Sequence, residues 1–120
     1  MNLETENKVV RPWGCFWNIA SGSGYLAKVI RVNVGGKLSV QSHSHRSEHW
    51  VVVSGKAKVL LGEKEMFLNT GDCIDIAVKE IHSLQNPFDS ELEVIEIQRG
   101  DILSEEDIIR YSDIYGRTSK

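Results

Sequence analysis

The chain has 120 residues, 26% of them charged, and a formal net charge of −3 at pH 7. A chain of this length forms one domain able to bury roughly two thirds of its unfolded surface without staples. Acidic and basic residues are interspersed with no basic stripe, which argues against a nucleic-acid partner. No apolar run approaches the roughly 20 residues needed to span a bilayer. The opening MNLETENKVV lacks an apolar core behind a basic start, so no signal peptide is read there and a cytoplasmic protein is expected. Cys15 and Cys73 lie far apart without metal or redox spacing, and are expected to be small apolar residues rather than a disulfide.

Residues 1–8 read as a flexible tail, and 9–120 as a single domain. From there, strand signals dominate in chain order: GYLAKVIRVNVGG, KLSVQSH, EHWVVVSG, KAKVLLGEKEMFL, GDCIDIAV, EIHSLQNP and ELEVIEIQRG. Each is rich in β-branched or aromatic residues and bounded by Gly, Asn, Pro or Asp, the pattern of an antiparallel sandwich or small barrel. VVVSGKAKV reads as a hairpin about Ser54-Gly55-Lys56, and LGEKEM as the next tight turn. Only residues 103–117, LSEEDIIRYSDIYGR, look helical: Ser104 and Asp107 have capping-box spacing, and Glu105 and Glu106 would lie at the positive end of the dipole.

Alternation inside the strands places Leu26, Ile30, Val32 and Val34 on one inward face, and Lys28 shares that face. An inward lysine needs a charge partner, a wet cavity or a route past the mouth. In residues 92–98, Leu92, Val94, Glu96 and Gln98 share one face and Glu91, Glu93, Ile95 and Ile97 the other, so parity does not say which turns inward.

The stretch QSHSHRSEHW, residues 41–50, carries the densest chemistry. From Gly35 the chain runs five residues to Gln41, skips one to His43, and has four more before Glu48; a second segment runs from Gly71 through Ala77 to His82 and Asn86. Gln41 and His43 share a strand face, Glu48 comes from the adjoining strand, and His82 arrives from elsewhere in the sheet. These four nitrogen and oxygen donors suit one divalent cation with room left for water or a sugar. His49, next to Glu48, points the other way, whereas His45 has the parity of His43 or sits at the mouth. Trp13 and Trp50 are expected to pack rather than to stack on a sugar.

This two-part spacing resembles the cupin signature, with Gln41 in place of its first histidine, Ala77 where proline is usual and Lys79 where glycine is usual. The resemblance implies an all-β, cupin-type antiparallel barrel or jelly roll that binds one metal through Gln41, His43, Glu48 and His82. More narrowly, RPWG at 11–14, LSVQSHSHRSEHWVVVSGKAKV at 38–59, NP at 86–87, EVIEIQRG at 93–100 and EEDIIRYSDIYGR at 105–117 resemble the isomerase domain of type II mannose-6-phosphate isomerases. That domain is usually the C-terminal part of a bifunctional enzyme with mannose-1-phosphate guanylyltransferase activity. No glycine-rich nucleotide loop is present here, so a separate nucleotidyltransferase partner is expected.

The resemblance implies interconversion of mannose 6-phosphate and fructose 6-phosphate, with a divalent ion such as Zn, Mn or Co, in the service of activated-mannose and polysaccharide synthesis. Lys28 and Arg46 are candidates for phosphate or enediolate contact, Arg117 for substrate contact, and His45 and Glu96 for the base. The alternatives are a non-catalytic cupin that binds a sugar phosphate or nucleotide sugar, and an iron-dependent cupin oxygenase. Edge strands make a homodimer an expectation as well.

Overall fold

The computed structural model describes residues 8–112, and its regular elements are eleven strands: β1 (Val9–Arg11), β2 (Gly14–Gly22), β3 (Tyr25–Val32), β4 (Val40–Ser42), β5 (Arg46–Ser54), β6 (Ala57–Leu61), β7 (Lys64–Leu68), β8 (Cys73–Ile76), β9 (His82–Gln85), β10 (Leu92–Gly100) and β11 (Ile109–Ser112). They form a six-stranded sheet in the order β1-β2-β3-β10-β5-β8 and a five-stranded sheet in the order β11-β4-β9-β6-β7, with every pairing antiparallel. Two sheets laid face to face give the expected antiparallel jelly roll its sandwich form.

The core lies between them. Phe16, Ile30, Val32, Trp50, Val52, Val59, Leu84, Leu92 and Val94 form one buried cluster, which draws on both sheets. Alternation fixes its composition: every second residue of β3, β5 and β10 turns inward. The ambiguous β10 face is resolved in favour of Leu92, Val94, Glu96 and Gln98, all at most 5% exposed. Toward one end of the sandwich this inward row changes from apolar to polar, because Lys28, Glu96 and Trp50 stand opposite one another across three strands and Gln98 stands opposite Glu48. Cross-strand partners sit close enough for their side chains to interact directly.

Three expectations need correction. Val34 is 58% exposed, because β3 ends at Val32 and the alternation ends with it. Ser54-Gly55-Lys56 is not the tip of a hairpin: β5 belongs to one sheet and β6 to the other, so this turn crosses between layers. Gly55 takes φ +84° there, and a side chain would collide with the carbonyl of Glu91. The expected helix does not form over 103–112; a turn at 105–106 leads into β11, which pairs with β4. Asp107 gives its carboxylate to the amides of Ser44 and His45 rather than to a helix cap, and Ile108-Ile109 favours the extended chain that follows. The remainder of that segment, with Arg117, lies outside the described residues, as do residues 1–7 of the expected tail.

The turn in LGEKEM is found as expected, joining β6 to β7 with Gly62 at φ +64°. Cys15 and Cys73 are free thiols, the first buried and the second exposed.

Candidate metal centre

The site is built where the two sheets exchange chain. Gln41 on β4 is the register partner of His82 on β9, so two donors from distant segments face each other across one ladder. His43 follows β4 directly, and Glu48 projects inward from β5. Nitrogen or oxygen atoms of His43, Glu48 and His82 lie within 4.8 Å of one another, and all three side chains are buried. His43 Nε2 is 3.2 Å from Glu48 Oε2, and His82 Nε2 is 3.9 Å from Glu48 Oε1.

The tautomers follow from the other face of each ring. His43 Nδ1 is 2.8 Å from the carbonyl oxygen of Asp107, and His82 Nδ1 is 2.8 Å from that of Glu80. A carbonyl only accepts, so both Nδ1 atoms carry the hydrogen, and both Nε2 atoms present lone pairs toward Glu48. Burial, followed by the charge of Arg46, lowers the His43 pKa to about 4 against the pull of the Asp107 carbonyl. Burial also lowers that of His82. Neutral imidazoles fixed by carbonyls, aimed with a carboxylate at one point, are the form in which these groups bind a metal. The residues present therefore fit a divalent ion.

Other side chains complete the surroundings. Trp50, only 3% exposed, donates from Nε1 to Glu48 Oε1 at 2.9 Å and to Glu96 Oε1 at 3.1 Å, and its ring meets His82 edge-on with centroids 5.6 Å apart. Arg46 donates from Nε to Glu48 Oε2 at 2.8 Å and from Nη2 to His43 Nε2 at 3.3 Å. Glu96 accepts from Gln98 Nε2 at 2.8 Å; burial and then the neighbouring Glu48 raise its pKa to about 7. Gln41 donates its amide to the carbonyl and hydroxyl oxygens of Ser39, each at 3.2 Å, so its own carbonyl oxygen is the atom left to serve as a ligand.

A cavity of about 80 Å³ opens from this cluster, with Gln41, His43, Lys28, Arg46, Glu96 and Glu105 on its wall. Of the site residues singled out from sequence, Lys28, Gln41, His43, Arg46, Glu48, His82 and Glu96 come together. His45 does not: it is exposed, and its contact here is a backbone amide given to Asp107. His49 faces away from the site and pairs with Asp75 at 2.6 Å. Trp13 is buried yet also borders the cavity. The sequence reading missed Asp107 as the orienter of His43, Gln98 as the partner of Glu96, and Glu105, which holds Lys28 at 3.0 Å. The Asp107 and Glu105 contacts span 64 and 77 residues of chain and leave no local signature. Gln98, by contrast, lies two residues from Glu96 on one strand face and could have been paired with it once that face was known to turn inward.

Comparison with known proteins places these observations. The family model for the mannose-6-phosphate isomerase C-terminal region matches residues 1–113. The alginate biosynthesis protein AlgA of Pseudomonas putida is 44% identical over 97% of this chain and 24% of its own length. The mannose-1-phosphate guanylyltransferase of Escherichia coli is 44% identical over 92% of this chain and 23% of its own. The chain thus spans about a quarter of the length of these relatives. Among solved structures, the Cnp3 cupin domain of Schizosaccharomyces pombe superposes with a TM-score of 0.69 at 14% identity, covering 72% of this chain and 64% of that one. The fold is the cupin jelly roll.

Proposed function

This chain belongs to the mannose-6-phosphate isomerase C-terminal family, and from that premise we propose that it interconverts mannose 6-phosphate and fructose 6-phosphate with one divalent ion. The observation that carries the reading is the convergence of two neutral imidazoles and a carboxylate within 4.8 Å of one another, beside a cavity that His43 and Gln41 line together with Lys28, Arg46 and Glu96. His43, Glu48 and His82 would hold the ion, with the Gln41 carbonyl as a fourth donor. When bound, such an ion supplies Lewis-acid stabilisation of negative charge on the sugar oxygens.

The remaining work falls to the protein. In the open-chain aldose, Glu96 takes the proton from C2, the C1–C2 bond becomes the double bond of an enediol, and the C1 oxygen gains a proton. Return of a proton to C1 with loss of one from the C2 hydroxyl gives the ketose, so the reaction balances without oxidant or reductant. A base with a pKa near neutrality suits both directions. Lys28 and Arg46 hold the phosphate, and the guanidinium offers paired donors for its oxygens. The buried walls of Trp13, Phe16 and Ile30 keep bulk water from the enediol.

The names of the alginate biosynthesis and guanylyltransferase relatives favour a role in supplying activated mannose for polysaccharide, and a nucleotidyltransferase is the partner that this reading implies. A homodimer formed through the sheet edges belongs to the same reading. Among the described residues no helix is long and apolar enough to cross a membrane. An enzyme of sugar-phosphate supply, as read here, would act in the cytoplasm.

A second reading, a sugar-phosphate or nucleotide-sugar binding module without turnover, rests on Ala77 and Lys79, which stand where the related pattern has proline and glycine ahead of His82. Two imidazoles and a carboxylate also suit iron, but Lys28 and Arg46 on the same wall favour a phosphorylated substrate over oxygen chemistry. The deciding experiment adds mannose 6-phosphate with a panel of divalent ions and follows fructose 6-phosphate. Metal-dependent product is expected. Tight binding without product would establish the module instead, and oxygen consumption by an iron-loaded sample would point to an oxygenase.

A further inference from the structure

Glu105 stands at the mouth of the cavity, is not among the metal ligands and is unused by the chemistry above. Its Oε2 is 3.0 Å from Lys28 Nζ, and the two side chains are unequal: Lys28 is 6% exposed, Glu105 60%. Lys28 lies deep, with its ammonium 4.3 Å from the centre of the Phe16 ring, while the glutamate reaches in from outside. Arg11, Arg46 and Arg110 border the same cavity. Burial works to raise the pKa of the Glu105 carboxyl, but Lys28, then Arg46 and Arg11, outweigh it and leave the pKa lowered.

The backbone beneath Glu105 is fastened independently of its side chain. Ser104 accepts from Arg46 Nη1 on its carbonyl at 3.3 Å. Asp107 receives the amides of Ser44 at 2.8 Å and His45 at 2.9 Å on its carboxylate, and the His43 ring on its carbonyl. The glutamate can therefore leave the mouth by rotating its own side chain, with no loosening of the loop that orients His43.

A carboxylate held among cations, at the opening through which a phosphorylated sugar would enter, stands where the substrate's anionic group must go. We propose that Glu105 is a tethered counter-anion that fills the phosphate seat in the substrate-free protein and is displaced by a phosphoryl group. This rests on the reading that Lys28 and Arg46 receive the phosphate. The device keeps the buried ammonium of Lys28 paired when no substrate is present. It also sets a threshold: a neutral sugar cannot replace a carboxylate on Lys28, whereas a dianionic phosphoryl group with three acceptor oxygens can. Glu105 is thus a specificity residue for phosphorylated over free sugars.

The test is calorimetric titration of the whole chain with inorganic phosphate and, separately, with free mannose. Glu105→Gln keeps size and removes charge; it is expected to tighten phosphate binding about fivefold, the scale of a partly exposed ion pair, and to leave mannose binding unchanged. Lys28→Met is expected to abolish phosphate binding. Glu105→Ala should behave as Glu105→Gln, which separates the charge from any fault of the amide. Phosphate affinity that stays the same or weakens in both Glu105 variants, or a chain that binds no phosphate in any form, overturns the proposal. Turnover of mannose 6-phosphate is scored independently. Tightened phosphate binding without turnover would sink the isomerase and keep the counter-anion, and turnover with unchanged phosphate affinity would do the reverse.

Discussion

Arg46 Nε and Glu48 Oε2 are 2.8 Å apart, with side chains only 7% and 2% exposed. The guanidinium also reaches His43 Nε2, so in the metal-free chain it neutralises the group of atoms that would hold an ion. Removing one partner of such a buried pair leaves a bare charge and costs about 3–5 kcal/mol. Arg46→Met should therefore lower the melting temperature of the chelator-treated protein sharply. A divalent ion can take over the abandoned Glu48 charge, so its stabilising shift should be larger in Arg46→Met than in the parent. Thermal unfolding with and without Mn or Zn reads both effects. An equal metal shift in the two proteins would show that Arg46 and the ion do not share these ligands.

Glu48 itself is the discriminating ligand position. Its two oxygens face separate imidazoles, and both already accept hydrogen bonds, one from Trp50 and one from Arg46. Glu48→Gln keeps the shape but removes the charge that attracts the ion and places an amide hydrogen against a ring nitrogen or a donor. Metal affinity measured by calorimetry should fall at least about tenfold, the lower range for disturbing a metal site, with sugar-phosphate turnover falling in parallel. Undiminished metal binding would remove Glu48 from the site.

Glu96 lines the cavity from β10 and is held by Trp50 and Gln98. Glu96→Gln retains an acceptor for the indole and removes the proton-carrying group. Loss of a general base typically costs about 10²–10⁴ in rate. The variant should lose turnover of that order while its melting temperature stays level or rises, since a costly buried carboxyl is gone. A variant within a few-fold of the parent rate would assign the base elsewhere.

The metal cluster was legible in the sequence because its spacing follows strand geometry: Gln41 and His43 fall two apart, Glu48 opens the next strand, and a second glycine-bounded segment delivers His82. Lys28 was legible as an inward charge without a stated partner. Its partner was not, because Glu105 lies 77 residues away in a segment whose local pattern resembles a helix start. That resemblance misled for a physical reason. Asp107 satisfies backbone amides at residues 44 and 45, and a side chain spent on tertiary contact cannot cap a helix. The hairpin about Gly55 failed likewise, since a turn signal specifies a reversal of the chain but not whether the strands it joins share a sheet. The role of Glu96 awaited the register with Lys28 and Trp50, which parity alone could not supply.

The buried titratable groups give the metal-free chain a definite pH dependence. His43 has a folded pKa of about 4 against 6.5 when unfolded, and that of His82 is lowered as well. As pH falls below 6.5 the unfolded chain takes up imidazole protons that the folded chain resists, which destabilises the fold. Glu96 opposes this, because its folded pKa of about 7 exceeds the ordinary 4.5, so the folded chain binds its proton first. His43 and Glu96 offset each other over this range, and the lowered pKa of His82 tips the balance toward the unfolded chain. Stability should therefore decline as pH falls from roughly 6.5. Urea unfolding across that window in the presence of a chelator measures it. A midpoint that holds or rises on acidification would mean that the imidazoles are not buried as neutral ligands.

Lys79 occupies a position where the related pattern has glycine, and its backbone shows why: φ is +67°, the one non-glycine with positive φ among the described residues. The conformation is kept because the Lys79 amide donates to the carbonyl of His43 at 2.8 Å, while the Glu80 carbonyl next to it fixes the His82 ring. One short turn thus joins the segments that carry both imidazoles. A side chain in this region costs about 1–2 kcal/mol, partly offset by the greater freedom glycine has when unfolded. Lys79→Gly should accordingly raise the urea midpoint by about 0.5–1 kcal/mol of stability without altering metal affinity. Ala77→Pro, which restores the other departure from the pattern, should instead destabilise, because the Ala77 amide donates to Glu80 Oε1 at 2.9 Å and proline has no hydrogen to give. Were Lys79→Gly to lower the midpoint, the lysine side chain would have to make a stabilising contact worth more than the backbone strain it imposes.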